Sequence, residues 1–387
     1  MQKEQKKRIS GNRRRIFLAA AAAGLNLAAC FRPFCDFYKC TIYGVVADVL
    51  GMLTGWIPFS IGEFSVYLAV IWLFAAAAVL LTVWFMKKGG RARKFASSFL
   101  RISLETFLWL ILILTLNYVI PFRGSILEVE GSVKREYTLQ EIQNVRNHLV
   151  TQINALAQEV ARQEDGKILY DRKKLQEEVF ASMKELGKEY PLLRGYYPPM
   201  KAAAGSDLMD WMNIGGVVFP HTMELIWNVY CTDLYYPSLL AHESAHHQGY
   251  YLENEANYIA FRACIQSGDA LVRYSGYLDV FYYVNDAYYR TLERVYGDVK
   301  TAREEYYRQP QLSERVKQDR SEAREASEEK YQADSHPAQK LAPAASDVAD
   351  VGWNLQEEVL QENCYDGVVE LVLQYYDVQT PGWKDVG

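Results

Sequence analysis

His242-Glu243-Ser244-Ala245-His246 decides how this sequence is read. In a helix, residues four apart stand one above the other, so both imidazoles reach one cation from the same face, while Glu243 points at the water that the metal activates. Only six histidines occur in 387 residues, and three of them fall between positions 242 and 247, which makes chance a poor account of the pattern. Tyr235-Tyr236-Pro237-Ser238 reads as a turn leading into this helix with Ser238 as N-cap, and Gly249 stands where a helix of about three turns would end. The expected chemistry is metal-assisted hydrolysis and the expected cofactor Zn²⁺. Two plainer readings compete with it: a metal site without turnover, and a surface pair of histidines.

A catalytic zinc takes three protein ligands and keeps one position open, so a third donor is required. Two acids, Glu253 and Glu255, open the next helical stretch, in which Ala256, Ala260, Ala263 and Cys264 form a stripe small enough to lie close against the motif helix. Glu255 precedes that stripe by one position and is expected to share its buried side, so Glu255 is the expected ligand and Glu253 the alternative. Both acids also suit a helix amino terminus on dipole grounds alone. Leu252 holds the place of the third histidine in an HExxHxxGxxH run and cannot bind zinc.

The segment Ala241 to Gly249, followed by Glu255-Ala256-Asn257 and Arg273-Tyr274-Ser275-Gly276-Tyr277, resembles the bacterial membrane-protein family called domain of unknown function 3810. Ile57-Pro58-Phe59-Ser60-Ile61-Gly62-Glu63 and Phe219-Pro220-His221-Thr222-Met223-Glu224 extend the resemblance over most of the chain. It implies an integral membrane protein of the gluzincin-like metallopeptidase superfamily, with His242, His246 and Glu255 as zinc ligands and Glu243 as general base. His247 is then either an outer partner of the site or a surface residue. The resemblance implies no substrate.

Hydropathy divides the chain near residue 122 into a membrane domain, 1–122, and an extracytoplasmic domain, 123–387. Transmembrane helices are expected at about 14–30, 64–86 and 102–121. The first follows Arg13-Arg14-Arg15 and ends in Leu27-Ala28-Ala29-Cys30, so a cleaved signal with a lipidated Cys30 is the alternative to an uncleaved span. Thr41 to Ile61 is apolar but broken by Gly44, Gly51, Gly55 and Pro58 and interrupted by Asp48, and is expected to lie on or dip into the membrane surface. Seven Lys/Arg precede the first span and six lie in Lys87 to Arg101, which places the amino terminus in the cytoplasm and the main domain outside the cell. In an oxidising compartment Cys30, Cys35 and Cys40 could form one disulfide, while Cys231 and Cys264 either pair or stay as buried thiols.

The fold class expected is mainly α: three transmembrane helices, then a predominantly helical, zincin-like domain with a short edge strand or small sheet. Leu139 to Arg162, Asp171 to Tyr190, Leu271 to Tyr296 and Glu357 to Tyr376 carry helical spacing. Gln309 to Ala345 reads as a solvated charged helix ending in a linker from Pro337, and Val217-Val218-Phe219 as an edge strand able to hold an extended peptide. Arg273, Tyr274 and His221 are the candidate oxyanion donors. The expected function is hydrolysis of amide bonds in an extracytoplasmic peptide or protein, and the expected partners are that substrate and the lipid bilayer. A net charge of −5 gives no basis for nucleic-acid binding. The competing functions are a non-catalytic zinc-binding sensor or assembly factor, for which Glu243 would be superfluous, and a lipid- or wall-binding scaffold built on the tyrosines.

Overall fold

The computed structural model describes residues 2–83, 85, 90–334, 336, 339–350 and 364–379. It divides into two compact units, the first comprising Met1–Ser125 and Val218–Glu224, the second Ile126–Val217 and Leu225–Gly387. The chain thus enters the second unit a few residues after the boundary expected at 122, and the tip of one hairpin is counted with the first.

In the first unit, α1 (Gln2–Ala28) is followed by α2 (Arg32–Tyr38), a π turn at Lys39–Tyr43 and α3 (Gly44–Gly55). The stretch Gly11–Ala28 meets Arg32–Gly55 at a bend of 110°, so the segment expected to lie on or dip into the membrane is helical and sharply turned from the one before it. Next come α4 (Ile61–Val83) and α5 (Arg91–Leu114), the latter running on through a π turn at Thr115–Val119 into α6 (Ile120–Phe122). Ile61–Val83 and Arg91–Phe122 are long and apolar enough to cross a membrane, and the bent pair adds a third if it is one span. The most apolar windows of the two are 0% and 6% buried, so these apolar side chains face outward, where hydrocarbon would solvate them and water would not. Polar groups among these helices are paired: Asn26 Nδ2 donates to Thr115 Oγ1 at 2.8 Å, and Arg14 meets Glu105. Residues 84 and 86 of the expected 64–86 span, and Lys87 and Lys88 of the basic segment, lie outside the described residues.

The second unit is helical, and its helices begin where side chains satisfy the first free backbone N–H groups. Thr138 and Glu141 form a capping box on α7 (Leu139–Glu159), and Asp171 caps α8 (Arg172–Leu186). Strand β1 (Lys201–Ala202), helix α9 (Ser206–Trp211), and strands β2 (Gly216–Phe219) and β3 (Glu224–Trp227) lead to α10 (Tyr236–His247) and α11 (Glu253–Ile265). Asp269 caps α12 (Ala270–Tyr296), and Asp298 and Ser313 cap α13 (Val299–Arg308) and α14 (Glu314–Ala333). The last described helix is α15 (Cys364–Gln379). Residues 342–345, expected as linker, belong to a helix that runs to 350, while 337, 338 and 357–363 lie outside the described residues.

The three strands lie in the order β1-β3-β2, with β1 parallel to β3. All four residues of β3 are buried, as befits the central strand, and β2 is the edge that the sequence suggested. Helices α10, α11 and α12 pack through small residues. A Cβ on Gly276 of α12 would lie 2.3 Å from Cys264 Cβ of α11, and Ala256, Ala260 and Ala263 are fully buried. The small-residue stripe therefore does what its spacing predicted, with α12 as a second partner. The described cysteines Cys30, Cys35, Cys40, Cys231 and Cys264 are all free, so neither expected bridge is made. Cys264 is a buried thiol at that helix crossing, and Cys35 Sγ approaches the Ala29 carbonyl at 3.4 Å.

Candidate metal centre

Helix α10 starts at Tyr236 with Pro237 in its first turn, where the missing N–H costs nothing. Ser238, expected as N-cap, is inside the helix and its hydroxyl instead donates to the Tyr235 carbonyl at 3.0 Å. The helix ends at His247, and Gly249 follows in the left-handed region at φ +94°, a conformation that glycine adopts freely. That reversal returns Tyr250 to the helix, so its N–H donates to Ala245 O at 3.0 Å while its own carbonyl lies 2.8 Å from His246 Nδ1.

His242 and His246 stand one turn apart with ring centroids separated by 4.6 Å. His242 Nδ1 is 2.8 Å from Asn257 Oδ1, and with Asn257 oriented that way and a carbonyl facing His246, each Nδ1 carries the proton. Both Nε2 atoms are left facing one carboxylate, that of Glu253: His242 Nε2 is 3.3 Å from Oε2 and His246 Nε2 is 3.6 Å from Oε1. One ligand atom from each of the three residues falls within 4.8 Å of the others. Two donors of a tetrahedral zinc stand about 3.4 Å apart, so the spacing suits that ion.

The acid facing the histidines is thus Glu253 and not the expected Glu255. Residues two apart on a helix point about 200° away from each other, so the two cannot share a target. Glu255 does lie on the buried side, as its place beside the small-residue stripe implied, but its carboxylate accepts the backbone N–H of Leu127 at 2.5 Å. Glu253 keeps 24% of its side chain exposed. Asn257 is one turn beyond Glu253 and so reaches the same face, which is how one helix supplies both an acid and a partner for His242.

Glu243 points elsewhere, into the sheet. It is 3% exposed, and its Oε2 has no hydrogen-bond partner among the described residues. Strand β2 runs directly over it: a Cβ on Gly216 would come within 2.6 Å of Glu243 Oε1, so any larger residue there would have to displace the carboxylate. Burial raises the Glu243 carboxyl above its ordinary value, against the pull of His242 and His246. Burial also opposes charge on His242, but Glu253 outweighs it and lifts that imidazole to about 9. Glu253 is held well below the usual carboxylate range, its own burial overcome by His246 and His242. Such opposed shifts among clustered groups are usual where protons are handled. On α12, Asp279 is raised to about 6 by burial, with His242 and Ser238 acting to lower it.

None of the expected oxyanion donors joins this group. Arg273 donates to the carbonyls of Ser267 and Gly268 and pairs with Glu159, and the Tyr274 hydroxyl donates to Asp319 at 3.1 Å. His221 belongs to the first unit, with Nε2 2.6 Å from Ser65 Oγ. His247 is fully buried and is therefore not the surface residue that was one reading of it. Sequence reasoning gave no role to Asn257, Asp279 or Gly216. Of these only Asn257 carried a local signal, its four-residue spacing from Glu253.

No curated protein and no solved structure matches this chain. The model of the family described as "Protein of unknown function (DUF3810)" matches residues 38–371, most of the sequence, and the chain belongs to that family.

Proposed function

We propose that this protein is a membrane-anchored, zinc-dependent hydrolase of amide bonds, gluzincin-like in its donor set of two histidines and one glutamate. His242, His246 and Glu253 would hold the ion. The observation that carries the reading is the convergence of two imidazole Nε2 atoms on one carboxylate, with a buried oxygen of Glu243, on the same helix as the imidazoles, that lacks a partner among the described residues. A stray pair of surface histidines would need no such arrangement, and a zinc-held scaffold would have no use for the orphan carboxylate.

A bound zinc would supply a Lewis acid that polarises a carbonyl and makes water acidic near neutral pH. The chain's own residues then handle the proton. Glu243, its carboxyl raised by burial, accepts a proton from the attacking water and returns it to the leaving amine. Asn257 and the Tyr250 carbonyl hold the two imidazoles in the tautomer that presents Nε2. Edge strand β2, passing over Glu243 at Gly216, offers main-chain groups to an extended peptide, which favours a polypeptide substrate. The basic segments before the first span and at Lys87 to Arg101 favour a cytoplasmic amino terminus and an extracytoplasmic site.

The test is zinc per chain by elemental analysis on protein purified without chelators, with His242→Ala, Glu253→Ala and Glu243→Gln in parallel. About one zinc in the parent and in Glu243→Gln, lost in the other two, is expected. A parent without zinc overturns the reading.

A further inference from the structure

Within the second unit, Arg135 and Tyr137, just before α7, and the carboxy-terminal half of α12 frame a cavity of about 500 Å³. From α12 it is lined by Arg290, Thr291 and Arg294, whose steps of four and three residues to Arg294 keep them on one side of the helix. Ile142 of α7 and Val369 and Leu373 of α15, all buried, give it an apolar wall. The volume is in the range of small-molecule sites.

Three guanidinium groups around one space repel each other unless each is offset. Arg135 is offset, its donors taken by Glu141 at 2.7 and 3.1 Å and by Asp377 at 3.1 and 3.2 Å. Arg290 pairs with Asp286 of its own helix at 2.9 Å. Arg294 has no carboxylate partner among the described residues, and its guanidinium donates only to the Thr291 hydroxyl, at 3.3 Å. One acid, Glu370, shares the lining, and it is already engaged by Lys134 at 3.3 Å and by Gln374 Nε2 at 3.1 Å. The cavity therefore carries an excess of positive charge.

Tyr137 supplies an independent observation. Its hydroxyl is buried and has no hydrogen-bond partner among the described residues. The Arg135 guanidinium carbon lies 4.1 Å from the centre of its ring, a contact that holds the ring in place. Burial pushes this phenol up to about 12, against the pull of Arg135, so it stays protonated and able to donate. An arginine in the last turn of a helix suits the helix dipole, which accounts for Arg294 by itself. It does not account for a buried hydroxyl in the same cavity with nothing to bond.

We propose that this cavity binds a small amphiphilic anion, its phosphate or carboxylate head on Arg294 and the Tyr137 hydroxyl and its short apolar tail against Ile142, Val369 and Leu373. A planar guanidinium matches two oxygens of such a head, and the phenol donates to one of them. The site shares no residue with the metal centre and does not rest on the hydrolase reading.

The experiment is titration calorimetry on the full chain in nanodiscs, with empty nanodiscs as reference and hexyl phosphate, hexanoate, inorganic phosphate and hexanol as probes. One hexyl anion should bind per chain, and hexanol should not bind. Each buried methylene adds about fourfold in affinity, so hexyl phosphate should bind at least about tenfold more tightly than inorganic phosphate. Arg294→Gln should weaken the hexyl anion about tenfold or more, and Tyr137→Phe about fivefold, while Arg303→Gln, on α13 outside the cavity, changes nothing. Arg294 is exposed and Tyr137→Phe keeps the ring, so both variants leave the fold intact. Absence of saturable binding by both hexyl anions, hexanol or inorganic phosphate binding as tightly as hexyl phosphate, or full affinity in either cavity variant overturns the proposal.

Discussion

Glu224, at the tip of the β2–β3 hairpin, and Glu243, on α10, are both buried carboxylates, and their oxygens are used in opposite ways. Each oxygen of Glu224 accepts a backbone N–H at the start of α4. Glu243, on the helix that carries two imidazoles aimed at a third acid, has an oxygen with no partner among the described residues. A buried carboxylate that is fully hydrogen-bonded stabilises the fold it holds together. One left short of partners costs stability, and a folded chain keeps such a cost where function needs it. Glu255 falls on the structural side of this division and Glu253 on the functional side, although they are two residues apart.

The largest effect expected follows from removing the carboxylate with the free oxygen. Glu243→Gln should lower turnover about 10²–10⁴-fold while zinc content stays at parental level, read by peptide cleavage and elemental analysis. Retained turnover would erase the contrast with Glu224. Next, Glu253→Ala should weaken zinc binding by more than about 100-fold, whereas Glu255→Ala should keep the metal and melt at lower temperature. Zinc lost from the second variant and kept in the first would reverse the assignment. Asn257→Ala should weaken zinc binding about 10–100-fold, as expected for an outer partner of a ligand, without touching Glu243.

Glu224→Ala should leave zinc binding unchanged but destabilise the full chain by about 2 kcal/mol, because two N–H groups lose their acceptor. Thermal unfolding in detergent or nanodiscs reads this directly. The smallest effect concerns another structural carboxylate, Glu141, which is brought down to about 2 by its hydrogen bond from Arg135, against its own burial. A lowered carboxyl stabilises the folded state above its unfolded value near 4.5 and loses that contribution as pH falls through about 2. Glu141→Gln should therefore flatten the acid limb of the stability curve and leave stability differences between pH 6 and 8 unchanged.

Much of this molecule was legible because local rules act over a few residues. The helical spacing of Leu139 to Arg162 and of Asp171 to Tyr190 announced α7 and α8 close to where they form. The apolar runs before Ser125 were long enough that membrane-crossing helices were the natural outcome. Ser238 misled because Pro237 is well placed inside a first turn, which moved the helix start three residues earlier. Arg273 and Tyr274 misled for a different reason: they can donate hydrogen bonds and sit in a segment that carries the family resemblance, but α12 turns them toward Glu159 and Asp319.

By itself, the sequence determined the motif helix, the two histidines on one face of it and the apolar spans, since helical periodicity and hydrocarbon length depend only on neighbours along the chain. Which acid faces those histidines was decided by the tertiary structure, because Glu253 and Glu255 are equivalent as helix-start residues until Leu127 arrives to claim one of them. The glycine over Glu243 and the hairpin tip on α4 were likewise settled by packing between segments far apart in the chain, where no local pattern reaches.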